Sequence, residues 1–154
     1  MIHTKKPSVS VKRLSKEKLE IARQKINRGI IITADTIVVL NKKVIGKPKD
    51  RKEAKRFLQK LSGKVHTVYT GFSIYNSENK MLLTDYEKTS VEFRNLTTKE
   101  IDDYIKSGSP MDKAGAYGIQ DDFGAVFIKK INGCYYNVVG LPLTRVYQTL
   151  MKII

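Results

Sequence analysis

Apolar residues along the chain switch between two periodicities, and the switches divide it into elements. Leu19, Ala22 and Ile26 fall at helical spacing, so the pattern predicts a helix from 15 to about 28, stopped by Asn27 and Gly29. A run rich in β-branched residues, 30–40, reads as a strand. Asn41-Lys42-Lys43 then reads as a turn into a short strand around 44–45, giving a hairpin. Asp50 is placed to cap a helix, with Glu53 three residues on. That helix carries Ala54, Phe57, Leu58 and Leu61 on one face and stops at Ser62-Gly63. Two β segments, 64–75 and 80–94, flank the turn-like "NSEN". Thr97 with Glu100 forms a second capping pattern, opening a helix with Ile101, Tyr104 and Ile105 that Gly108 and Pro110 end. Short strands are expected at 125–131 and 135–138. The last helix has Leu143, Val146, Tyr147, Leu150 and Ile154 on one stripe, with Pro142 near its first turn.

Hairpins mixed with helices predict an α/β fold with a mixed sheet rather than a strictly alternating parallel one. Residues 1–10 are polar and expected to be poorly ordered, leaving 11–154 as a single domain. No internal repeat, low-complexity tract or long linker interrupts that range. No apolar run approaches the length of a membrane span, and the N-terminus lacks the apolar stretch of a secretory signal. The single cysteine, Cys134, fits a reducing compartment, so the expected location is the cytoplasm.

Charge changes the picture modestly. Of 154 residues, 29 are basic and 15 acidic, a net charge of +14. That favours an anionic partner such as a nucleotide, a nucleic acid or a membrane surface. Lysine outnumbers arginine 22 to 7 and is scattered along the chain. A solvated basic surface explains most of it, and nucleic acid is the less favoured partner. The excess raises the case for a phosphate-bearing substrate.

Three stretches hold candidate chemistry. Asp35 lies inside the dry run 30–40, where an unpaired carboxylate would cost several kcal/mol. It must be paired, or sit at a strand end or in a cleft. It reads either as a local cap or as a metal ligand or general base held rigidly by a strand. Lys47, in Gly46-Lys47-Pro48, is biased to extended geometry by the proline and can meet a phosphate as a point charge; an exposed turn lysine is the plainer reading. In "MDKAGAYGIQ", 111–120, Asp112 and Lys113 precede small residues that let a ligand approach the backbone, or that simply make a tight turn. The Gln120 amide both donates and accepts, so it can read a base edge. The chain has no GxxxxGK[ST], GxGxxG, HExxH or paired CxxC. His3 and His66 suggest no metal site, and Cys134 reads as core beside Tyr135-Tyr136.

Taken together, "ADTIVV" (34–39), "GKPKD" (46–50), "LSGKVHTVYTG" (61–71), "DKAGAYGIQ" (112–120) and "YYNVVGLPL" (135–143) resemble the Maf-like nucleoside triphosphate pyrophosphatases, in family order. The resemblance implies a mixed twisted sheet with flanking helices and two lobes around a cleft, related to the inosine triphosphatase fold. Its "DKAGAYGIQ" form is similar to the branch acting on dTTP and UTP rather than on 7-methyl-GTP. The implied reaction cleaves between the α- and β-phosphates, giving a nucleoside monophosphate and pyrophosphate. By the same resemblance, Asp35 is the proton acceptor or metal contact, and Lys47 holds phosphate charge. Thr36 and Gln120 help set substrate choice, with Lys113 and Asp112 as further contacts. A divalent ion, Mg²⁺ or Mn²⁺, is implied as the triphosphate's companion, and dimerisation is a family expectation.

One family segment, Ser-x-Ser-Pro-Arg-Arg opening a helix, has no counterpart in register. Residues 11–22 match instead the family's later "RLAxEKA" helix, with Arg13, Leu14, Glu17 and Lys18 aligned. About forty residues of the family pattern are therefore expected to be missing ahead of the match, and activity to be weakened without those arginines. The rival expectation is a catalytically impaired nucleotide- or nucleic-acid-binding protein of the same fold. A third is a structural part that needs a partner chain.

Overall fold

Pro7 opens the first helix, where its fixed φ suits helix entry and its missing N–H costs nothing. A computed structural model describes residues 6–154. Helix α1 spans Pro7–Arg23, starting earlier and ending earlier than the apolar spacing predicts. Its inward residues are Ser10, Val11, Ser15 and Leu19, and two serines on the seam hide it from a hydrophobic count. Gln24 caps the helix through its N–H, and residues 24–28 are exposed, so nothing rewards further turns. Residues 7–10, expected to be poorly ordered, form the first turn; residues 1–5, His3 among them, lie outside the described range.

Strands β1 (Ile30–Leu40) and β2 (Lys43–Ile45) pair antiparallel, with Val38 opposite Ile45 and Leu40 opposite Lys43. Their turn puts Asn41 and Lys42 at φ of 49° and 65°, as a tight primed hairpin requires. Helix α2 (Arg51–Leu61) is capped by Asp50, whose carboxylate accepts from the Glu53 N–H at 2.7 Å. Glu53 reaches back to the Lys49 N–H rather than to that of Asp50. Strands β3 (Val65–Asn76) and β4 (Met81–Phe93) follow. Helix α3 (Thr98–Lys106) has both halves of its capping box: Glu100 N–H to Thr97 Oγ1 at 3.1 Å, and Thr97 N–H to Glu100 Oε2 at 2.8 Å. Two 3-10 turns, Ser109–Asp112 and Ala114–Ala116, lead to α4 (Asp122–Phe127), β5 (Ile128–Asn132), α5 (Tyr135–Val139) and α6 (Leu143–Met151).

Two expected strands are corrected. The first half of 125–131 is the end of α4; only Ile128 onward is extended. Position 124 must be glycine: a Cβ there would lie 1.9 Å from the Gly118 carbonyl oxygen, so the backbone packs closer than a side chain allows. Residues 135–138 form helix α5, despite their β-favouring composition. Gly140, at φ 125°, closes it by donating to the Tyr136 and Asn137 carbonyls. The stripe on α6 is also partly wrong. Val146, Thr149 and Ile153 turn inward, while Leu143, Tyr147 and Ile154 are exposed. The chain leaves the helix at Met151, and Ile153 is held because its carbonyl accepts from the Asn76 and Asn79 side chains.

The strand order is β2-β1-β3-β4-β5, and β4 pairs antiparallel with β5 with an irregularity at Glu92/Phe93. Residues group into two compact units. The first holds residues 6–36, Tyr69–Lys88 and Tyr136–Ile154. Its core gathers Phe72, Ile74, Val146 and Ile153 with Ala34, Leu83, Leu141 and Leu150. Helix α1 lies against β3 so closely that a Cβ on Gly71 would sit 2.2 Å from the Val11 carbonyl oxygen. The second unit holds Ile37–Val68 and Thr89–Tyr135. Its core is an aromatic cluster in which Phe93 meets Tyr117 edge-on at 4.8 Å and Tyr104 meets Phe127 at 5.3 Å. Among the described residues, no helix is long and apolar enough to cross a membrane.

Candidate functional site

In the first unit the site is built by one helix face laid on one strand. Thr33 donates to the Ser15 carbonyl at 2.6 Å, fixing α1 to β1. One helical turn after Ser15 comes Lys18, and two strand residues after Thr33 comes Asp35, so both fall on the same faces. The Lys18 ammonium pairs with Asp35 Oδ1 and also donates to the Ala34 carbonyl at 3.2 Å. The Asp35 side chain is 21% exposed. This resolves the carboxylate in a dry run: it is paired, its orientation is fixed, and solvent still reaches it. In the sequence Lys18 stands out only as part of a helix pattern. No periodicity links residues that far apart, and the signal that was available is the energetic need of Asp35 for a cation.

Thr36 sits beside a hydroxyl relay. Its Oγ1 lies 2.8 Å from Thr70 Oγ1, and Thr70 donates to the Asn137 carbonyl at 3.1 Å. Thr70 has one proton to give, so Thr36 donates to Thr70 and keeps its own lone pairs for another partner. Gly140 packs nearby, where a Cβ would come within 3.8 Å of the Thr36 oxygen.

In the second unit, Lys47, Asp112 and Lys113 are neighbours. The Gly46 carbonyl accepts from the Gly115 N–H at 3.1 Å, stitching the Gly-Lys-Pro turn to the "DKAGAYGIQ" segment. Gly115 has φ 72°, and a Cβ there would press to 3.1 Å of Val38, so the segment needs glycine for both conformation and space. Pro48 is buried while Lys47 is exposed. Lys113 donates to the Ser109 carbonyl at 2.7 Å and to Asp112 Oδ1 at 3.1 Å, and lies 3.6 Å from Asp121 Oδ2. The Lys113 hydrogen bond and charge, with a smaller contribution from Lys47, hold the Asp112 carboxyl below its ordinary value. Lys47 and Lys113 thus act on one carboxylate, and both could meet one anionic group.

Gln120 is exposed on the turn that follows, closed by the Asp121 N–H donating to the Gly118 carbonyl at 3.1 Å. Two residues not singled out by sequence support this turn. Tyr104 of α3 donates its O–H to Asp121 Oδ2 at 2.6 Å and accepts from the Gly118 N–H at 3.0 Å. Burial and the Asp121 carboxylate push the Tyr104 phenol up, so it stays protonated. His66 lies deeper, with Nε2 2.6 Å from the Tyr117 hydroxyl. Cys134 is half-buried between β5 and α5, where its carbonyl accepts from Thr89. No group of three or more histidine, cysteine, aspartate or glutamate side chains gathers to hold a metal among the described residues.

The family model described as Maf-like protein matches residues 2–153. Among curated relatives, the dTTP/UTP pyrophosphatase of Clostridium tetani (strain Massachusetts / E88) is 49% identical over 144 residues, covering 92% of this chain and 74% of the relative. The dTTP/UTP pyrophosphatase of Clostridium botulinum (strain Loch Maree / Type A3) is 52% identical over 124 residues, 80% of this chain and 63% of the relative. That of Carboxydothermus hydrogenoformans (strain ATCC BAA-161 / DSM 6008 / Z-2901) is 50% identical over 139 residues, 90% and 74%. The chain therefore spans about three quarters of the length of some of these relatives and less than two thirds of others.

Proposed function

Because the chain belongs to the Maf-like family, we propose that it is a hydrolase of the cytoplasmic nucleotide pool, cleaving dTTP and UTP between the α- and β-phosphates. The observation that carries this reading is the Asp35 carboxylate, held on a rigid strand by Lys18 yet reached by solvent. Asp35 accepts a proton from water as the water oxygen bonds to the α-phosphorus. The bond from that phosphorus to the bridging oxygen breaks, and pyrophosphate leaves with its electron pair. Positioned proton transfer of this kind contributes roughly 10²–10⁴-fold in rate. Lys47 and Lys113 offset charge on the phosphate oxygens, Asp112 holds Lys113 in place, and Thr36 and Gln120 choose the nucleoside.

A divalent ion fits these residues as part of the substrate. Mg²⁺ keeps most of its waters and takes one or two carboxylates besides phosphate oxygens. Among the described residues no group of three or more acidic, histidine or cysteine side chains gathers, which suits an ion that arrives on the triphosphate rather than one held by the chain alone. Mg²⁺ or Mn²⁺ would supply charge neutralisation there. A homodimer belongs to the same reading, supported by the exposed apolar residues Leu143, Tyr147 and Met151 along α6; sedimentation velocity tests it, a monomer at high concentration speaking against it.

Pyrophosphate release from dTTP and UTP with Mg²⁺, compared between the wild type and Asp35→Asn, tests the catalytic assignment. Turnover that the variant abolishes is expected. Nucleotide binding with no turnover in either protein would favour a binding module instead.

A further inference from the structure

The turn 118–121 carries an exposed Gln120 between a crowded glycine and a buried-side carboxylate, and one phenol grips both ends. Tyr104 lies on α3 with its ring in the core, 1% exposed, beside Phe123 and Phe127. A phenylalanine would fill that space equally well. The hydroxyl spends both of its capacities on the turn: it accepts from Gly118 at the start and donates to Asp121 at the end. The turn itself has little freedom. A Cβ on Gly118 would lie 2.8 Å from Asp121 Oδ2 and 2.8 Å from the Lys113 chain. Asp121 Oδ2 also lies 3.6 Å from the Lys113 ammonium, so the phenol's hydrogen bond and the ammonium's charge face the same oxygen.

We propose that Tyr104, with Asp121, is a positioning residue for nucleobase choice, setting the Gln120 amide by fixing both ends of its turn to helix α3. The inference rests on Gln120 reading the base. Without the phenol oxygen, the Gly118 N–H loses its acceptor and Asp121 is free to swing to Lys113. The turn then samples positions in which the Gln120 amide misses the base edge, while phosphate contacts elsewhere persist.

The test measures binding of non-hydrolysable α,β-methylene analogues of dTTP and dCTP to the wild type, Tyr104→Phe, Gln120→Ala and the double variant. The expected result for Tyr104→Phe is a loss of about fivefold in the dTTP-over-dCTP preference, the size of one hydrogen bond, with dCTP binding nearly unchanged. In the Gln120→Ala background, Tyr104→Phe should leave the preference where Gln120→Ala put it. A preference intact in Tyr104→Phe but collapsed in Gln120→Ala would make Tyr104 structural only and overturn the inference. Additive losses in the double variant would overturn it as well, since the two residues would then act separately. A preference unchanged by Gln120→Ala, or absent from the wild type, would remove the base-reading role and this inference with it. If Tyr104→Phe does not fold, Asp121→Ala breaks the same link from the turn side and must reduce the preference likewise.

Discussion

Mild acid should destabilise this protein through one histidine. His66 on β3 is 1% exposed, and its ring meets Phe93 edge-on at 5.1 Å and Tyr117 at 5.3 Å. Its Nε2 has the Tyr117 hydroxyl as partner, but its Nδ1 is buried without one. A second proton would therefore place a charge and an unmatched N–H in an aromatic core. Burial accordingly lowers the imidazole from 6.5 to about 4. Between these values the unfolded chain takes up a proton that the folded chain refuses. Stability thus falls as pH drops from 6.5 to about 4 and levels off below. The gap corresponds to about 3 kcal/mol, a large share of a typical domain's stability. Carboxylates with the same sign enter later: Glu100, held down to about 2 chiefly by Arg94, adds its loss only below its unfolded value of 4.5. The window from 6.5 to 4.5 belongs to His66. Urea unfolding followed by circular dichroism at pH 7, 6 and 5 reads the slope, with His66→Gln as the comparison. The wild type should lose stability steeply across this window and the variant should be nearly flat. Equal slopes, or a flat wild type, would refute the reasoning.

Three further outcomes follow from the same geometry. Gly71→Ala would drive a methyl into the Val11 carbonyl, which is backbone and cannot yield, so thermal melting should show a loss of about 3 kcal/mol or more, or no folded protein. A wild-type-like melt would mean that α1 does not lie on β3 this closely. Lys18→Met keeps the helix but frees Asp35, so pyrophosphate release should drop by roughly 10²-fold with little change in melting temperature; unaltered turnover would exclude Lys18 from the site. Thr97→Ala removes one half of the capping box on α3 and should cost about 1 kcal/mol by chemical denaturation, with no effect on nucleotide preference.

Much of the local structure was legible because its causes are local. Asp50 and Thr97 each cap their helix by a side chain reaching three residues along, and the hairpin at Asn41 depends on its own turn residues. What failed was decided at a distance. Residues 135–138 have strand-like side chains, yet form a helix that buries Asn137 and ends on Gly140. Helix α4 packs its Gly124 directly on the Gly118 backbone, a contact no periodicity records. The site divides the same way. Asp35, Lys47 and the 112–120 segment stand out by composition, and the cost of burying Asp35 demanded a partner. That the partner is Lys18, and that Tyr104 and Asp121 hold the Gln120 turn, depends on helix faces laid on strands and turns far away in sequence.

The central claim is that water attacks the α-phosphorus of a nucleoside triphosphate with Asp35 taking the proton. Turnover of dTTP with Mg²⁺ in ¹⁸O-water, with products resolved by mass spectrometry, tests it most directly. The account predicts dTMP carrying one ¹⁸O and unlabelled pyrophosphate, and no label in either with Asp35→Asn. Label in the pyrophosphate, dTDP with labelled phosphate, or undiminished labelling in the variant would contradict it.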